Sequence, residues 1–445
     1  MSDLVPDGWK TGKFSELAQV QNGYAFKSND FSEGETNAVV RMNNLKTGIV
    51  SLKNSKFVSD ETVQHLDQFR LNNGDFLFGM SGSLDNYGWL AKINGSCYLN
   101  QRVGKLKPSV TADSRFTAYL FLSNQVRNEI RLMAAGAAQL NISGNQLESI
   151  KVSIPPLIEQ QKIATTLSSV DEVIEKTQAQ IDKLKDLKTG MMQELLSPSE
   201  GQAANIHITQ GESKNGLLHT EFKDSPLGRI PVGWEVIKVV DLQSKEKYSC
   251  VGGPFGSDLT SKHYINEIGV PVIRGANLSL TSKRFTDSGF VYVSESKADS
   301  LARNMAYPGD FVFTQRGTMG QVGLIPDHAK FKRYVVSQSQ MKLTIDESIV
   351  DKDFLYQYFL SDIFLRSLDL ETIATGLPHI NLGILKSFNI PLPSMQEQKE
   401  IRIILNSMDD KLTSLLGRQE KYKNLKKSLM QDLLTGKVRV KVDEA

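Results

Sequence analysis

The sequence predicts an α+β chain built as two tandem homologous globules and a pair of long antiparallel helices that form a coiled coil with pseudo-twofold symmetry. Three observations carry that reading. Short motifs recur in the same order in both halves. Apolar runs in each half are bounded by Gly, Asn and Ser. Two stretches, 159–197 and 397–435, keep an apolar seam without a strong helix breaker.

The repeat is read residue by residue. Pro6-Asp7-Gly8-Trp9 returns as Pro231-Val232-Gly233-Trp234, and Phe26-Lys27-Ser28 as Phe255-Gly256-Ser257. Arg41-Met42-Asn43-Asn44-Leu45 matches Arg274-Gly275-Ala276-Asn277-Leu278. Gly74-Asp75-Phe76-Leu77-Phe78 matches Gly309-Asp310-Phe311-Val312-Phe313, and the stretch 136–142, ending in Asn141-Ile142, matches 376–382, ending in Asn381-Leu382. The longest copy is 159–197 against 397–435, which align without a gap.

Within each half, runs such as Phe76-Leu77-Phe78 and Phe311-Val312-Phe313 read as buried strands. Residues 118–133 and 354–370 each read as one helix, stopping near Gly136 and before Gly376. In the long stretches the seam runs through Ile163, Leu167, Val170, Ile174, Thr177, Ile181, Leu184, Lys188, Met191 and Leu195. Its copy runs through Ile401, Leu405, Met408, Leu412, Leu415, Gln419, Tyr422, Lys426, Leu429 and Leu433. These are heptads interrupted by Thr177, Gln419 and two lysines. Pro155-Pro156, or Pro391 and Pro393, precede each helix, and Pro198 or Gly436 follows. Such a helix is about 58 Å long at 1.5 Å per residue. If the second packs on the first it returns antiparallel, bringing the C-terminus near the N-terminus. The alternative is two amphipathic helices lying on their own globules.

Composition narrows the function. The 445 residues suit two or three domains at about 150 residues each. Against 50 acidic residues stand 52 basic ones, a net charge of +2, so any affinity for nucleic acid has to be local. Cys97 and Cys250 lie in no metal-ligating spacing and read as thiols of a reducing cytoplasm. Neither a secretory signal nor a membrane span is predicted.

Catalytic signatures do not emerge. Gly252-Gly253-Pro254-Phe255-Gly256-Ser257 lacks the lysine of a phosphate loop, and Pro155-Pro156 does not have the form of an amino-methyltransferase motif. Glu295-Ser296-Lys297 and Glu397-Gln398-Lys399 lack the upstream Pro-Asp of a nuclease site. The six histidines form no zinc spacing, and no serine elbow is present.

Two globules each ending in Pro-Pro-Leu or Pro-Leu-Pro, then an x-Glu-Gln-x-x-Ile helix, with Pro226-Leu227-Gly228-Arg229-Ile230-Pro231-Val232-Gly233-Trp234 between the halves, resemble the specificity subunit of type I restriction–modification systems over essentially the whole chain. The resemblance implies target-recognition domains at 1–158 and 225–396, spacer helices at 159–197 and 397–435, and a linker at 198–224. It implies that each domain reads one half of a bipartite, asymmetric site in double-stranded DNA, while the helices set the gap and dock two methyltransferase subunits. S-adenosylmethionine then belongs to the methyltransferase partner, and ATP and Mg to a restriction/translocase partner; this chain binds no cofactor or metal. A cytoplasmic, non-catalytic subunit follows. A stand-alone methyltransferase or nuclease with unrecognised motifs, and a coiled-coil scaffold without DNA, are the alternatives.

Base edges are read by forked or hydroxyl side chains. Loops after the repeated strands offer Arg41, Asn43, Asn44, Ser81, Ser83, Asn100 and Gln101 in the first half. In the second they offer Arg274, Asn277, Gln315, Arg316, Thr318, Ser337 and Gln338. The shared members can instead satisfy loop backbone. Lys27, Ser28, Gly256 and Ser257 are candidates for phosphate contact. Glu159, Gln160, Lys185 and Gln193, with their copies Glu397, Gln398, Lys423 and Gln431, are expected on outward helix faces for partner binding or plain solvation. The Pro-x-Gly-Trp segments are expected to cap each globule against its helix end.

Overall fold

The computed structural model describes residues 5–34, 36–83, 85–91, 95–133, 141–196, 219, 221–279, 284–375 and 379–441. The chain divides into two compact units, one of Met1–Gln178 with Gly417–Ala445 and the other of Ala179–Leu416. Each unit therefore holds part of both long helices, Leu157–Leu196 and Met395–Leu433. The expected helix stops at Gly136 and Gly376, Pro198, and most of the expected linker lie outside the described residues. The end of that linker enters a hairpin of Phe222–Ser225 with Gly228–Pro231.

Among the described residues of the first unit, one sheet has the order Ala18–Asn22, Val103–Pro108, Phe76–Gly79, Tyr87–Trp89, Gly48–Val50, Leu45–Lys46. A second has the order Cys97–Leu99, Asn37–Val40, Lys56–Val58, Phe31–Ser32. The second unit carries Cys250–Gly252, Gln340–Leu343, Phe311–Thr314, Val322–Leu324 in one sheet. The other holds Val291–Val293, Val270–Ile273, Tyr334–Val336, Met305–Ala306.

The Gly-Asp-Phe repeats enter the central strands Phe76–Gly79 and Phe311–Thr314, every residue of which is buried. Their aspartates explain the motif. Asp75 pairs with Lys105 at 2.6 Å and Asp310 with Lys342 at 3.2 Å, each lysine on the adjacent strand. The same aspartates accept from Asn72 N and Tyr307 N, closing the turn that starts the strand. Burial pushes the Asp310 carboxyl above the ordinary aspartate range in spite of Lys342.

The helical segment predicted as continuous in each half is two helices: Ser114–Phe121 and Asn124–Met133, then Lys352–Phe359 and Asp362–Thr375. The break is local chemistry. Asp113 and Asp351 cap the first helices, and the Ser123 and Ser361 hydroxyls accept from Val126 N and Phe364 N to start the second ones. The apolar pattern alone carries no trace of this, because both pieces bury the same kind of face.

Every seam position named above is buried or half-buried. In the first unit Asp171 meets Lys426 at 2.6 Å and Gln178 meets Gln419 at 2.7 Å, so the helices run antiparallel and pack on each other. In the second unit Lys188 meets Asp409 at 2.5 Å. The two seam lysines are thus ion-pair members, and Thr177 returns its hydroxyl to Val173 O within its own helix. Gly436, at φ 70°, ends the second helix in the left-handed conformation, and Arg439 then donates to Asp7 O at 2.7 Å, so the segment after the second helix meets the first globule.

Candidate nucleic-acid interface

In each unit two neighbouring strands run parallel, Asn37–Val40 with Cys97–Leu99 and Val270–Ile273 with Tyr334–Val336. Parallel neighbours end on the same edge, so the residues after them emerge together. Asn100 N donates to Val40 O at 3.2 Å, beside Arg41, and Ser337 N to Ile273 O at 3.1 Å, beside Arg274. A third segment joins, with Met80 N on Arg102 O (3.1 Å) in one unit and Gln315 N on Ser339 O (2.7 Å) in the other. A fourth is tied in by Ile142 N to Met80 O (3.0 Å) and Ile380 N to Gln315 O (3.2 Å). The predicted loops are therefore one cluster per unit, built on the same frame.

A glycine holds the cluster tight. A Cβ at Gly23 would lie 2.2 Å from Asn100 O, and one at Gly253 would lie 1.9 Å from Ser337 O. Only a bare Cα permits that crossing. One correction to the repeat follows from these ties: Asn141 bridges Ser81 as His379 bridges Arg316, so Asn141 corresponds to His379 rather than to Asn381. Asn381 corresponds to Ser143, and both cap the helix that follows.

Each cluster frames a cleft. In the first unit it is about 490 Å³, lined by Asn22, Ser81, Gln101, Arg102, Asn141 and Gln146 among others. In the second it is about 250 Å³, lined by Tyr264, Arg274, Ser337, Gln338 and Gln340 among others. Arg102, Asn141, His379 and Gln340 were not among the sequence candidates. Arg102 follows Gln101 directly in its loop, the one local signal for it.

Candidate side chains separate by burial. Asn43, Ser83, Gln101, Arg316 and Thr318 are exposed, as are Lys27, Ser28, Gly256 and Ser257. Arg41, Ser81, Asn100, Arg274 and Gln315 are half-buried. Asn44 and Asn277 are buried loop braces, accepting from Arg41 N and Arg274 N and donating to Ser51 O and Thr286 O, so they have no free edge for a base. Ser337 is also buried and donates to Gln340 Oε1, while Gln338 donates to Gly256 O and to Leu259 O. Ser83 receives Asp85 N, and Lys27 N is taken by Asp30 Oδ2 at 2.6 Å.

The helix faces also differ from expectation. Lys185, Gln193, Lys423 and Gln431 are exposed, but Glu159, Gln160 and Gln398 are buried and Glu397 is half-buried. Trp9 Nε1 donates to Glu159 Oε2 at 3.0 Å and Trp234 Nε1 to Glu397 Oε1 at 2.9 Å. Gln160 and Gln398 accept from Asp113 N and Asp351 N and donate to Pro155 O and Pro393 O. The Glu-Gln motif is thus a clasp that fastens each globule to its helix, with the Trp of Pro-x-Gly-Trp as its indole donor. The first clasp is closed by Arg439, the second by His219 at 2.7 Å. Lys423 and Gln431 line a separate cavity of about 310 Å³ with Arg127, Lys426 and Lys427.

Among the described residues no group of His, Cys, Asp and Glu could hold a metal ion, and no helix is long and apolar enough to cross a membrane. The family model for the type I restriction modification DNA specificity domain matches residues 6–186 and 231–423. The specificity subunit of the type I restriction enzyme MjaVIII of Methanocaldococcus jannaschii is 29% identical over 73% of this chain and 70% of its own length. That of the type I restriction enzyme EcoKI of Escherichia coli K12 is 25% identical over 89% and 81%. The crystal structure of the type I restriction–modification S subunit of M. genitalium is similar in fold, with a TM-score of 0.58, 15% identity and 96% of each chain covered. Matched in both of its halves, the chain belongs to the type I restriction modification DNA specificity family and is a non-catalytic specificity subunit.

Proposed function

We propose that the chain is the sequence-specific DNA-recognition and assembly subunit of a type I restriction–modification complex in the cytoplasm. Each globule reads one half of a bipartite, asymmetric site, and the helices set the half-site separation and dock two methyltransferase subunits. On this reading 1–158 and 225–396 are the target-recognition domains, 159–197 and 397–435 the spacers, and 198–224 the linker. The chain itself binds no cofactor. S-adenosylmethionine sits on the methyltransferase partner, and ATP and Mg on the restriction partner.

One observation carries the reading: the same loop cluster is built twice, with its frame preserved and its tips changed. Asn44 and Asn277 brace both clusters identically. At the bridged position one unit presents Ser81 and the other Arg316. A constant frame with variable forked tips is what reading two different short sequences requires. The test is to map methylated adenines in a host carrying the system, with the native chain and with 225–396 replaced by the same region of a relative. One half of the methylated site should change and the other persist. A change in both halves, or in neither, would overturn the proposal.

A further inference from the structure

We infer that Arg41 and Arg274 are matched phosphate anchors, one in each unit, which grip the DNA backbone and do not encode sequence. This deepens the DNA-reading proposal and rests on it.

The two arginines occupy the same place. Each follows one strand of a parallel pair and starts a 3-10 turn, Met42–Asn44 or Gly275–Asn277. Each donates its own N–H to the turn's asparagine, at 2.9 and 3.0 Å. Each also has an enclosed Nε without a hydrogen-bond acceptor, and among the described residues neither guanidinium enters an ion pair. Arg41 is steadied with its guanidinium carbon 5.7 Å from the centre of the Phe31 ring. Arg274 lines the cleft of its unit.

The duplication then acts as an internal control. Several other shared polar side chains that are enclosed are engaged within the protein: Trp9 and Trp234 on glutamate, Asp75 and Asp310 on lysine, Gln160 and Gln398 on backbone, Lys188 and Lys426 on aspartate. Arg41 and Arg274 are shared, charged and partly enclosed, and no acceptor among the described residues takes their Nε. Two readers of different sequences cannot be told apart by a residue they have in common. What their targets have in common is the phosphate backbone. A guanidinium with its stem held and its acceptor missing suits a phosphate oxygen, which supplies charge and a forked acceptor together.

The experiment measures binding of the full chain, assembled with the modification subunits of its own system, to duplex DNA over a range of salt, and sequence preference by selection from a randomised duplex pool. Arg41→Ala and Arg274→Ala should each weaken binding to every sequence about tenfold and flatten the log–log salt slope by about one, and together by about two. The selected sequence should not change. Arg41→Lys and Arg274→Lys should keep the slope and the selected sequence, because a point charge still serves phosphate. A changed base at any position in either variant class would make these residues base readers and overturn the inference. So would an unchanged slope in the alanine variants. Should an alanine variant fail to fold, altered selection by its lysine counterpart still decides against it. Absence of duplex binding by the native assembly would instead defeat the DNA-reading proposal itself.

Discussion

Lys188 Nζ lies 2.5 Å from Asp409 Oδ1, joining the two long helices through a pair whose side chains are each only 11% exposed. Asp409 also receives Gln357 Nε2 at 2.7 Å. The ungapped repeat places Asp171 where Asp409 stands and Lys426 where Lys188 stands, and those two meet at 2.6 Å, with Tyr119 OH on Asp171 at 2.7 Å. The same network is thus built twice, with helices exchanging roles.

Removing one member leaves a charge without its partner in an apolar seam. Lys188→Met should destabilise the second unit by about 3 kcal/mol, and Lys188→Met with Asp409→Leu should recover most of that loss. Urea unfolding of the four members of the cycle checks it. A loss in the double variant equal to the sum of the two single losses would show that the pair has no coupling.

The Asp75–Lys105 and Asp310–Lys342 pairs test burial at constant chemistry. Asp310 and Lys342 are 3% and 6% exposed, Asp75 and Lys105 15% and 12%. Asp310→Ala should cost about 3 kcal/mol and Asp75→Ala about half as much. The Asp310 carboxyl is raised by burial, so its ionisation opposes folding. Stability tied to that group is full below the ordinary aspartate pKa and falls as pH rises through the raised one. Thermal melts of the native chain and Asp310→Asn across mildly acidic pH should therefore diverge in slope.

Arg439 closes the Trp9–Glu159 clasp, with Arg439 Nε 2.7 Å from a glutamate that is only 3% exposed. Arg439→Ala leaves Glu159 with the indole N–H alone and should lower stability by about 1–2 kcal/mol, moderated because the guanidinium is partly solvated. Its readout is the melting temperature. No shift would mean that water replaces the arginine without cost.

Cys97 is fully buried, and burial pushes its thiol up to about 12. It should resist alkylation at pH 8 in the folded chain and react once unfolded. Because the folded value lies above the ordinary 9.0, the stability tied to it is full below pH 9 and is lost as pH rises toward 12. Mass spectrometry after iodoacetamide treatment checks the first statement.

Arg316 is exposed at the tip of its cluster, where the other unit has Ser81. Arg316→Ala should leave stability within about 0.5 kcal/mol and relax base preference at one position of one half-site, by about 1–3 kcal/mol of discrimination. Unchanged selection would remove Arg316 from the reading set.

How far the site was legible follows from the same residues. Arg41, Asn44 and Gln101 drew notice because forked side chains recur at matching places after matching strands. The pattern could not say that Asn44 turns inward while Arg41 keeps its fork free, since either role calls for the same residue type in the same loop. Glu159 and Glu397 misled for a related reason. Glutamate at a helix start reads as a solvated first-turn charge, and only the arrival of Trp9 or Trp234 from the far end of the globule makes it a buried acceptor.

By itself the sequence determined the duplication, the central strands and the apolar seam of each long helix. Each is written in local periodicity or in short motifs whose partners are near in the chain. Tertiary structure alone decided which lysine of the seam meets which aspartate, which loops share a cleft, and which polar side chains are enclosed. Those outcomes depend on contacts between segments far apart in sequence, where burial and the nearest partner, rather than residue type, set what a charged or forked side chain does.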